Sequence, residues 1–320
     1  MELSPYDLID ARDLAVPQDR PFTRAEVLAL GISRHELGEY LRHGLLVSPL
    51  KGVFHVPHLE DGLDLRILCV RLVAPQDAVI CDQAAGWLHG APMVLAPNAH
   101  LVVPRVDVYL PPGRRVRHGL AESGERTFLV PELVEMGGLT VTSPLRTTCD
   151  LGRLRHRDLA FASLDAMLRT GKLTREELVD VACSSRYKGY RHIRQLRELA
   201  PDADPRAESL PESVTRRRWL DCTVLPRPEL QVPVQGPDGE CYLDLGLPLY
   251  RYAVEYDGEE WHGPGQREHD ERRRGGIRRI SRYVIDVLRK PNVFGAQQDV
   301  DLILRAGVGQ AIDRSRRWIA

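Results

Sequence analysis

The sequence lacks the features that would assign a 320-residue chain to an extreme class of protein. Its 44 basic and 45 acidic residues give a formal net charge of −1, so nothing in the whole-chain balance demands a polyanionic partner, and any basic surface must be local. No apolar run approaches the roughly eighteen residues of a transmembrane helix, and the N-terminus has no apolar signal core. We therefore expect a cytoplasmic protein with no membrane partner.

Cysteine and lysine are also scarce. The six cysteines are widely separated and form no C-x-x-C pair, which argues against a zinc ribbon and favours reduced, mostly buried thiols. Only four of the 44 basic residues are lysines. Arginine suits bidentate phosphate contacts, although an arginine-rich composition is also typical of GC-rich genomes. The 43% of hydrophobic residues and the length predict two or three domains with ordinary cores.

The N-terminal stretch FTRAEVLALGISRHELGEYLRHGLL carries two successive helix-start signals. Thr23 precedes Glu26, and Ser33 precedes Glu36, with the spacing of a capping box. The following LLVSPLKGVFHV is typical of a small hairpin. This order of helix, turn, helix and hairpin predicts a winged helix-turn-helix over residues 1–60.

The second of these helices predicts a DNA-binding surface. If Leu37 faces the core, the exposed residues include Arg34, His35, Arg42 and His43. Such a cationic helix face can enter a major groove. The alternative is a small structural helical hairpin, because turn-linked helix pairs are common outside DNA-binding proteins.

This stretch resembles the winged-helix domain of AbiEi-type antitoxins, in which a similar helix pair and a GVFHV-like strand occur. The likeness continues through AVICDQAAGWLHGAP and GLTVTSPLRTTCDLGR, covering roughly residues 20–155. Between these motifs, HLVVPRVDVYL alternates as strands do, and Ser143 with Pro144 is typical of a helix start. We expect a middle α/β domain with a helical segment at 61–200, and the resemblance implies a cognate toxin or defence-system protein as partner.

The last part of the chain begins after a proline-containing linker, APDADPRAESLPES, and is expected to form one domain at 201–320. Its pattern predicts a helix, the strands ELQVPVQ, ECYLDLGL and YRYAVEY, a charged helix, and a final strand YVIDVL. The turn GPDG should join the first two strands as a hairpin. Gly275 and Gly276 are expected to interrupt the charged helix, because glycine costs roughly 1 kcal/mol relative to alanine at a helical position.

Acidic residues lie on two of these strands. Alternation places Glu255 and Asp257 on one side of the third strand, and Asp244 lies on the neighbouring strand. If the register brings them to the same face, like charges repel by about 0.2–1 kcal/mol per pair, and a cation is expected among them. Magnesium or manganese takes such oxygen ligands. The alternative is a solvated acidic sheet edge.

The order of elements, with an acid on the second strand and VEYDG ending the third, resembles the PD-(D/E)XK nucleases. The closer resemblance, over about residues 206–295, is to Vsr-like (very-short-patch-repair type) endonuclease domains. It implies magnesium ligands at Glu212, Asp244, Glu255 and Asp257, with Asp244, Glu255, Asp257, Gln231 and His262 as catalytic residues. The charged helix supplies further cations expected to offset phosphate charge, although such a run is also typical of a solvated face: Arg272, Arg273 and Arg274.

One position departs from this nuclease pattern, because the lysine that many members have two residues after the glutamate is Asp257 here. His262 is the expected general base, since its ordinary pKa suits proton transfer near neutrality. A metal-bound hydroxide alone is the alternative. A histidine beside a tryptophan, as His262 stands beside Trp261, is also a frequent packing pair.

The sequence thus predicts an α+β protein with an N-terminal winged helix-turn-helix, a middle α/β domain and a C-terminal PD-(D/E)XK restriction-endonuclease-like αβββαβ core. One interpretation is a metal-dependent DNA endonuclease that the winged helix orients on duplex DNA. The alternative is a catalytically silent DNA-binding regulator, antitoxin-like, of a toxin–antitoxin or phage-defence system. Loss of the lysine favours the regulator, and the joint presence of the acids and Gln231 favours the nuclease.

Overall fold

The computed structural model describes residues 5–92, 103–110, 119–124, 126–258, 264–295 and 297–319, and within them the fold is a mixture of helices and three sheets. The helices are α1 (Arg24–Ala29), α2 (Arg34–Arg42), α3 (Leu63–Arg71), α4 (Asp82–Leu88), α5 (Pro144–Leu154), α6 (Arg157–Arg169), α7 (Arg175–Cys183), α8 (Ile193–Leu199), α9 (Leu210–Asp221), α10 (Pro264–Ile280), α11 (Lys290–Val293) and α12 (Val300–Ile319). The strands are β1 (Phe22–Thr23), β2 (Val47–Leu50), β3 (Val53–His55), β4 (Val79–Ile80), β5 (Val106–Tyr109), β6 (Ala121–Gly124), β7 (Leu133–Met136), β8 (Leu139–Thr142), β9 (Glu229–Gly236), β10 (Gly239–Leu247), β11 (Tyr252–Tyr256) and β12 (Val284–Leu288).

The chain folds as two compact units, which differ from the three segments expected from the sequence. The first unit is Met1–Leu151 with Thr170–Arg186, and the second is Gly152–Arg169 with Tyr187–Ala320. The second unit takes in α6 because Arg216 on α9 donates to both oxygens of the buried Asp165 on α6, each at 2.8 Å. The expected boundary at 201 therefore falls inside a packed unit.

The first unit begins with the two predicted capping boxes, and both are confirmed. The Thr23 hydroxyl accepts from the Glu26 amide, and the Ser33 hydroxyl accepts from the Glu36 amide, with the return bonds to each cap also present. β1, β3 and β2 form a three-stranded sheet in that order beside α1 and α2. The turn between β2 and β3 ends at Gly52, whose φ of +82° favours glycine.

A five-stranded sheet completes the first unit, in the order β6-β5-β4-β8-β7. It is mixed: β4 pairs parallel to β8 and β5 parallel to β6, whereas the β4–β5 and β7–β8 pairs are antiparallel. The helix that follows β8 begins at Pro144, and the Ser143 hydroxyl accepts from the Arg146 amide at 3.3 Å, as the Ser-Pro pair predicts.

The second unit contains the predicted order of helix, three strands, helix and strand. Its four-stranded sheet runs β12-β11-β10-β9, with only the β11–β12 pair parallel. Tyr252 and Val254 of β11 pack in a core with α9 and α12 residues, whereas Ala253 packs with Ile277 of α10. Because neighbouring side chains on a strand point to opposite faces, helices cover both faces of this sheet.

The expected break in the charged helix is wrong, because α10 continues through both glycines to Ile280. A Cβ at Gly276 would lie 2.7 Å from the ring of Pro237, in the turn between β9 and β10. Glycine therefore lets the hairpin turn approach the helix closely, and that packing offsets its low helix propensity. Among the described helices, none combines the length and the apolar character needed to cross a membrane.

Candidate functional site

The exposed face of α2 carries three of the four cations expected there. Arg34, His35 and Arg42 are exposed. The expectation that His43 is also exposed is wrong: its Nδ1 lies 2.8 Å from Asp7 Oδ1, and its ring stacks on Tyr6 with centroids 5.5 Å apart. These contacts come from the segment before β1, which local sequence pattern does not connect to α2.

A carboxylate lies among these cations. Glu39 is buried, and Arg42 donates a hydrogen bond to it. Glu39 also lies 3.9 Å from His35 Nδ1 and 3.7 Å from His43 Nε2. Its charge offsets part of the positive field of α2, so Arg34 and the outer atoms of Arg42 are the groups best placed to meet a phosphate.

The acidic residues of the second unit converge as the alternation predicts. In the β10–β11 pairing, Leu245 lies opposite Val254, and one further step of the same register places Asp244 opposite Glu255. The Tyr256 amide donates to Asp244 Oδ2 at 2.9 Å. Residues directly opposite each other in an antiparallel pair share a face, so these two carboxyl groups lie close together.

The electrostatics of Asp244 show this convergence. Its pKa is raised from 3.8 to about 7, first by burial and then by the negative charges of Glu212 and Glu255, while the Tyr256 amide and Arg273 act in the opposite direction. Burial disfavours a charged carboxylate, and neighbouring like charges add to that effect. Asp244 is therefore poised to take up a proton or a cation near neutral pH.

Glu212 is engaged in its own helix start. Its Oε1 accepts from the Ser209 hydroxyl at 2.7 Å, and its Oε2 accepts from the Glu208 amide at 3.0 Å. Its pKa is nevertheless raised, mainly by burial. Ser209 is the N-cap of α9, and its hydroxyl also accepts from the Glu212 amide. The two bonds to the Glu212 carboxylate account for a buried glutamate without a ligand.

Glu255 and Asp257 face arginines. Arg273 donates to the buried Glu255, and Arg274 Nη1 lies 3.8 Å from its other oxygen. Arg274 Nη2 also lies 3.5 Å from Asp257 Oδ2, and Arg289 lies 3.9 Å from the same oxygen. Burial still raises the pKa of Glu255, although both arginines lower it. Arg273 and Arg274, expected to meet phosphates, thus contact the expected metal ligands, whereas Arg272 is exposed.

Gln231, another predicted site residue, marks a change of face in the β9–β10 hairpin. Leu230 and Leu245 pack with α9 and α12, whereas the next pair, Val232 and Leu243, packs with α10. Gln231 lies between these pairs with a φ of +51°, a conformation that costs a non-glycine residue about 1–3 kcal/mol. Asp244 lies between Leu243 and Leu245, at the point where the hairpin changes face. His262, the expected general base, lies outside the described residues.

The fit of this cluster to magnesium is limited in the conformation seen. Among the described residues, no group of three or more His, Cys, Asp or Glu side chains has the arrangement of a metal site. The oxygens of Glu212 accept hydrogen bonds from Glu208 and Ser209, and those of Glu255 face arginines, so a cation would have to displace these contacts. The magnesium site stays a prediction.

A second cluster of charges, in the first unit, was missed from the sequence. Arg146 is buried and donates from Nε to Asp150 at 2.9 Å and from Nη1 to Glu132 at 2.7 Å. Arg126 donates to Asp150 at 2.6 Å and reaches Asp82 at 3.1 Å. We name these five residues the buried ion network. Its sequence signal is the i,i+4 spacing of Arg146 and Asp150 in the motif SPLRTTCD.

An unusual backbone conformation accompanies this network. Asp82 begins α4 with a φ of +46°, and its Oδ2 accepts from the Tyr109 hydroxyl at 3.0 Å. The Arg126 guanidinium lies 4.1 Å from the centre of the Tyr109 ring. Burial, followed by the charge of Asp82, raises the pKa of Tyr109, so this hydroxyl stays protonated and acts as a donor.

Comparisons with known proteins connect this part of the chain to a family. Residues 78–200 match the AbiEi antitoxin C-terminal domain. The chain is 30% identical over 273 residues to "Uncharacterized protein Rv2248" of Mycobacterium tuberculosis (strain ATCC 25618 / H37Rv), covering 83% of this chain and 96% of that protein. The chain belongs to the family of that mycobacterial protein. "Uncharacterized protein MT2308" of the strain CDC 1551 / Oshkosh matches with the same 30% identity and coverage.

The segment that matches the AbiEi antitoxin C-terminal domain contains the buried ion network. All five of its residues lie within 78–200, whereas α2 and the acidic cluster lie outside that segment. The AbiEi resemblance is therefore supported for residues 78–200, whereas the resemblance of the N-terminal stretch to a winged-helix domain stays a prediction.

Proposed function

We propose that this protein is an antitoxin-like DNA-binding regulator of a toxin–antitoxin or phage-defence system. The observation that carries the proposal is the match of residues 78–200 to the AbiEi antitoxin C-terminal domain. An antitoxin-like role implies a cognate toxin as partner and the chain's own control region as a DNA target.

The N-terminal elements support the DNA-binding part of this proposal. Two capped helices precede a three-stranded sheet, an order compatible with a winged helix-turn-helix in which α2 enters the major groove. Arg34 and Arg42 are exposed on α2 and would contact phosphates or base edges.

The contacts of the acidic cluster support a non-catalytic role for the sheet of the second unit. Glu255 and Asp257 have arginine partners on α10, and the Glu212 carboxylate accepts hydrogen bonds at the start of α9. Such pairing neutralises charge without a metal ion and leaves the nuclease-like order of elements as a scaffold.

The proposal is tested by adding the full chain to a labelled duplex that carries its own upstream region, in buffer containing magnesium. We expect a retarded complex and intact DNA. If the upstream duplex binds no more tightly than an unrelated duplex of the same length, and co-expression with neighbouring gene products yields no complex, the regulator proposal is wrong.

The convergence of Asp244 and Glu255 favours a second candidate, the metal-dependent DNA endonuclease. In that case the wild-type protein nicks or cuts DNA with magnesium or manganese, and Glu255→Gln abolishes cutting while binding persists. The matched control is Glu240→Gln, at an exposed position of the same sheet, and this variant should cut normally.

Magnesium binding gives a second test of the endonuclease candidate. Magnesium at about 100 times its dissociation constant should stabilise the wild type by about 2.7 kcal/mol and Asp244→Asn by much less. Absence of both effects removes this candidate.

A further inference from the structure

A pocket of about 730 Å³ lies at the end of the second unit's sheet that is opposite the acidic cluster. It is lined by residues just before and at the start of β11 and β12, including Tyr250, Arg251 and Tyr283. Glu255 lies four residues further along β11 than Arg251, which corresponds to about 13 Å. The pocket is therefore separate from the acidic cluster.

The lining of this pocket is strongly basic. Four arginines contribute to it and, among its described lining residues, there is no acidic side chain: the four are Arg251, Arg278, Arg282 and Arg314. Like charges gathered on one concave surface repel and focus a positive potential inside it. An anionic ligand would relieve that repulsion.

One of the arginines in the pocket has a guanidinium nitrogen without a hydrogen-bond acceptor among the described residues. Arg278 donates to the Ile285 carbonyl at 2.9 Å and thereby fixes the wall. Arg314 Nη2 is buried and, among the described residues, has no hydrogen-bond partner. Arg314 lies five residues before the end of α12, whereas compensation of a helix dipole acts mainly within the last turn. An unsatisfied buried guanidinium nitrogen costs free energy that a ligand oxygen would recover.

Backbone conformation also distinguishes this site. Arg251 has a φ of +48° and Arg282 a φ of +57°, values that non-glycine residues rarely adopt. Arg251 lies one residue before β11 and Arg282 two residues before β12. Strained residues of this kind cluster at ligand sites, where the surrounding structure holds side chains in position.

We propose that this pocket binds a nucleotide, through its phosphate groups and its aromatic base. Guanidinium groups match phosphate oxygens in bidentate geometry. Tyr250, which is half-buried beside the pocket, supplies an aromatic face on which a base can stack. The volume lies in the range of small-molecule sites, roughly 300–1,000 Å³. The same chemistry recognises a free nucleotide or one nucleotide of a single strand of DNA.

The test is isothermal titration calorimetry on the full chain, with ATP, ADP and AMP in one series and a single-stranded thymidine tetranucleotide in the other. Arg314→Gln should weaken the ligand that binds by about tenfold or more, because a charge-assisted contact is lost. Arg305→Gln is the matched control, since Arg305 is exposed on the same helix and does not line the pocket.

The outcomes separate the two sources and the proposal itself. Binding in the first series identifies a free nucleotide, and binding in the second alone identifies a DNA strand. Equal affinities for Arg314→Gln and Arg305→Gln would overturn the proposal, as would the absence of binding in both series at millimolar ligand. The test does not depend on the regulator proposal, because α2 and the AbiEi-like segment contribute nothing to the pocket.

Discussion

The buried ion network of the first unit and the acidic cluster of the second both bring carboxylates together, but their charge balance differs. In the network, Asp82, Glu132 and Asp150 share the guanidinium groups of Arg126 and Arg146, and Arg186 adds a third cation at 2.9 Å from Glu132. In the cluster, Glu212 and Asp244 have hydrogen-bond donors but no arginine within ion-pair distance among the described residues, and burial raises the pKa of both.

Charge balance decides what each region can do. A buried network in which every carboxylate meets an arginine is structural, because any loss leaves an uncompensated charge. A cluster with unmatched carboxylates responds to pH and to added cations. The buried ion network therefore contributes to the stability of the fold, whereas the acidic cluster responds to pH and to cations.

The largest expected effect comes from removing the central arginine of the network. Arg146→Gln should lower the free energy of unfolding by about 3–5 kcal/mol, because Asp150 and Glu132 are left buried without their main partner. Urea denaturation measures this effect. Arg175→Gln removes an exposed pair with Glu176 and should cost at most about 1 kcal/mol. Similar midpoints for the two variants would mean that the network contributes no special stability.

The second expected effect concerns the pH dependence of the acidic cluster. Because the pKa of Asp244 is about 7 in the folded chain, the folded state favours the protonated form, and stability falls as pH rises from about 4 to about 7. Asp244→Asn removes this titration and should gain up to about 4 kcal/mol relative to the wild type above pH 7, and little below pH 4.

Thermal or urea unfolding between pH 4 and 8 measures the difference between Asp244→Asn and the wild type. The matched control is Asp313→Asn, an exposed aspartate on α12 of the same unit. A pH-independent difference for Asp244→Asn would contradict the burial of Asp244 beside Glu212 and Glu255, even if the variant were more stable throughout.

Local features of the fold could be predicted from the sequence, and distant pairings could not. The capping boxes at Thr23 and Ser33 and the alternation of β11 depend on residues within a few positions of one another. The contact of Arg216 with Asp165 joins residues 51 positions apart, and α6 enters the second unit through it. The spacing of residues along the chain does not predict such a pair.

In the candidate site, too, local features could be predicted from the sequence and distant contacts could not. Alternation predicts that Asp244 and Glu255 share a face if the strand register brings them together, and the β10–β11 pairing does so. The partners of the carboxylates were not predicted, because the direction of Arg273 and Arg274 depends on how α10 packs against the sheet. The twist at Gln231 also depends on tertiary packing, since its left-handed backbone has no signal in a strand-forming segment.

The smallest expected effect tests the local side of this comparison. Thr23→Ala and Ser33→Ala should each lower the free energy of unfolding by about 1 kcal/mol, because each removes an acceptor for a helix-terminal amide. Urea denaturation of the full chain measures it. Thr223→Ala, an exposed threonine outside a helix start, should change stability by less than about 0.5 kcal/mol. Equal effects for the three variants would contradict the role of the caps.

A DNA-binding role for α2 is decided by the salt dependence of DNA binding by the full chain and by its Arg34→Ala/Arg42→Ala variant. Fluorescence anisotropy with the upstream duplex gives the affinity at several salt concentrations. If α2 faces DNA, the variant should bind more weakly, and its slope of log affinity against log salt should fall by about one unit per lost phosphate contact. Arg71→Ala/Arg175→Ala changes the charge equally at exposed positions and should behave as the wild type does. Identical affinities and slopes for the wild type and Arg34→Ala/Arg42→Ala would contradict a DNA-binding role for α2.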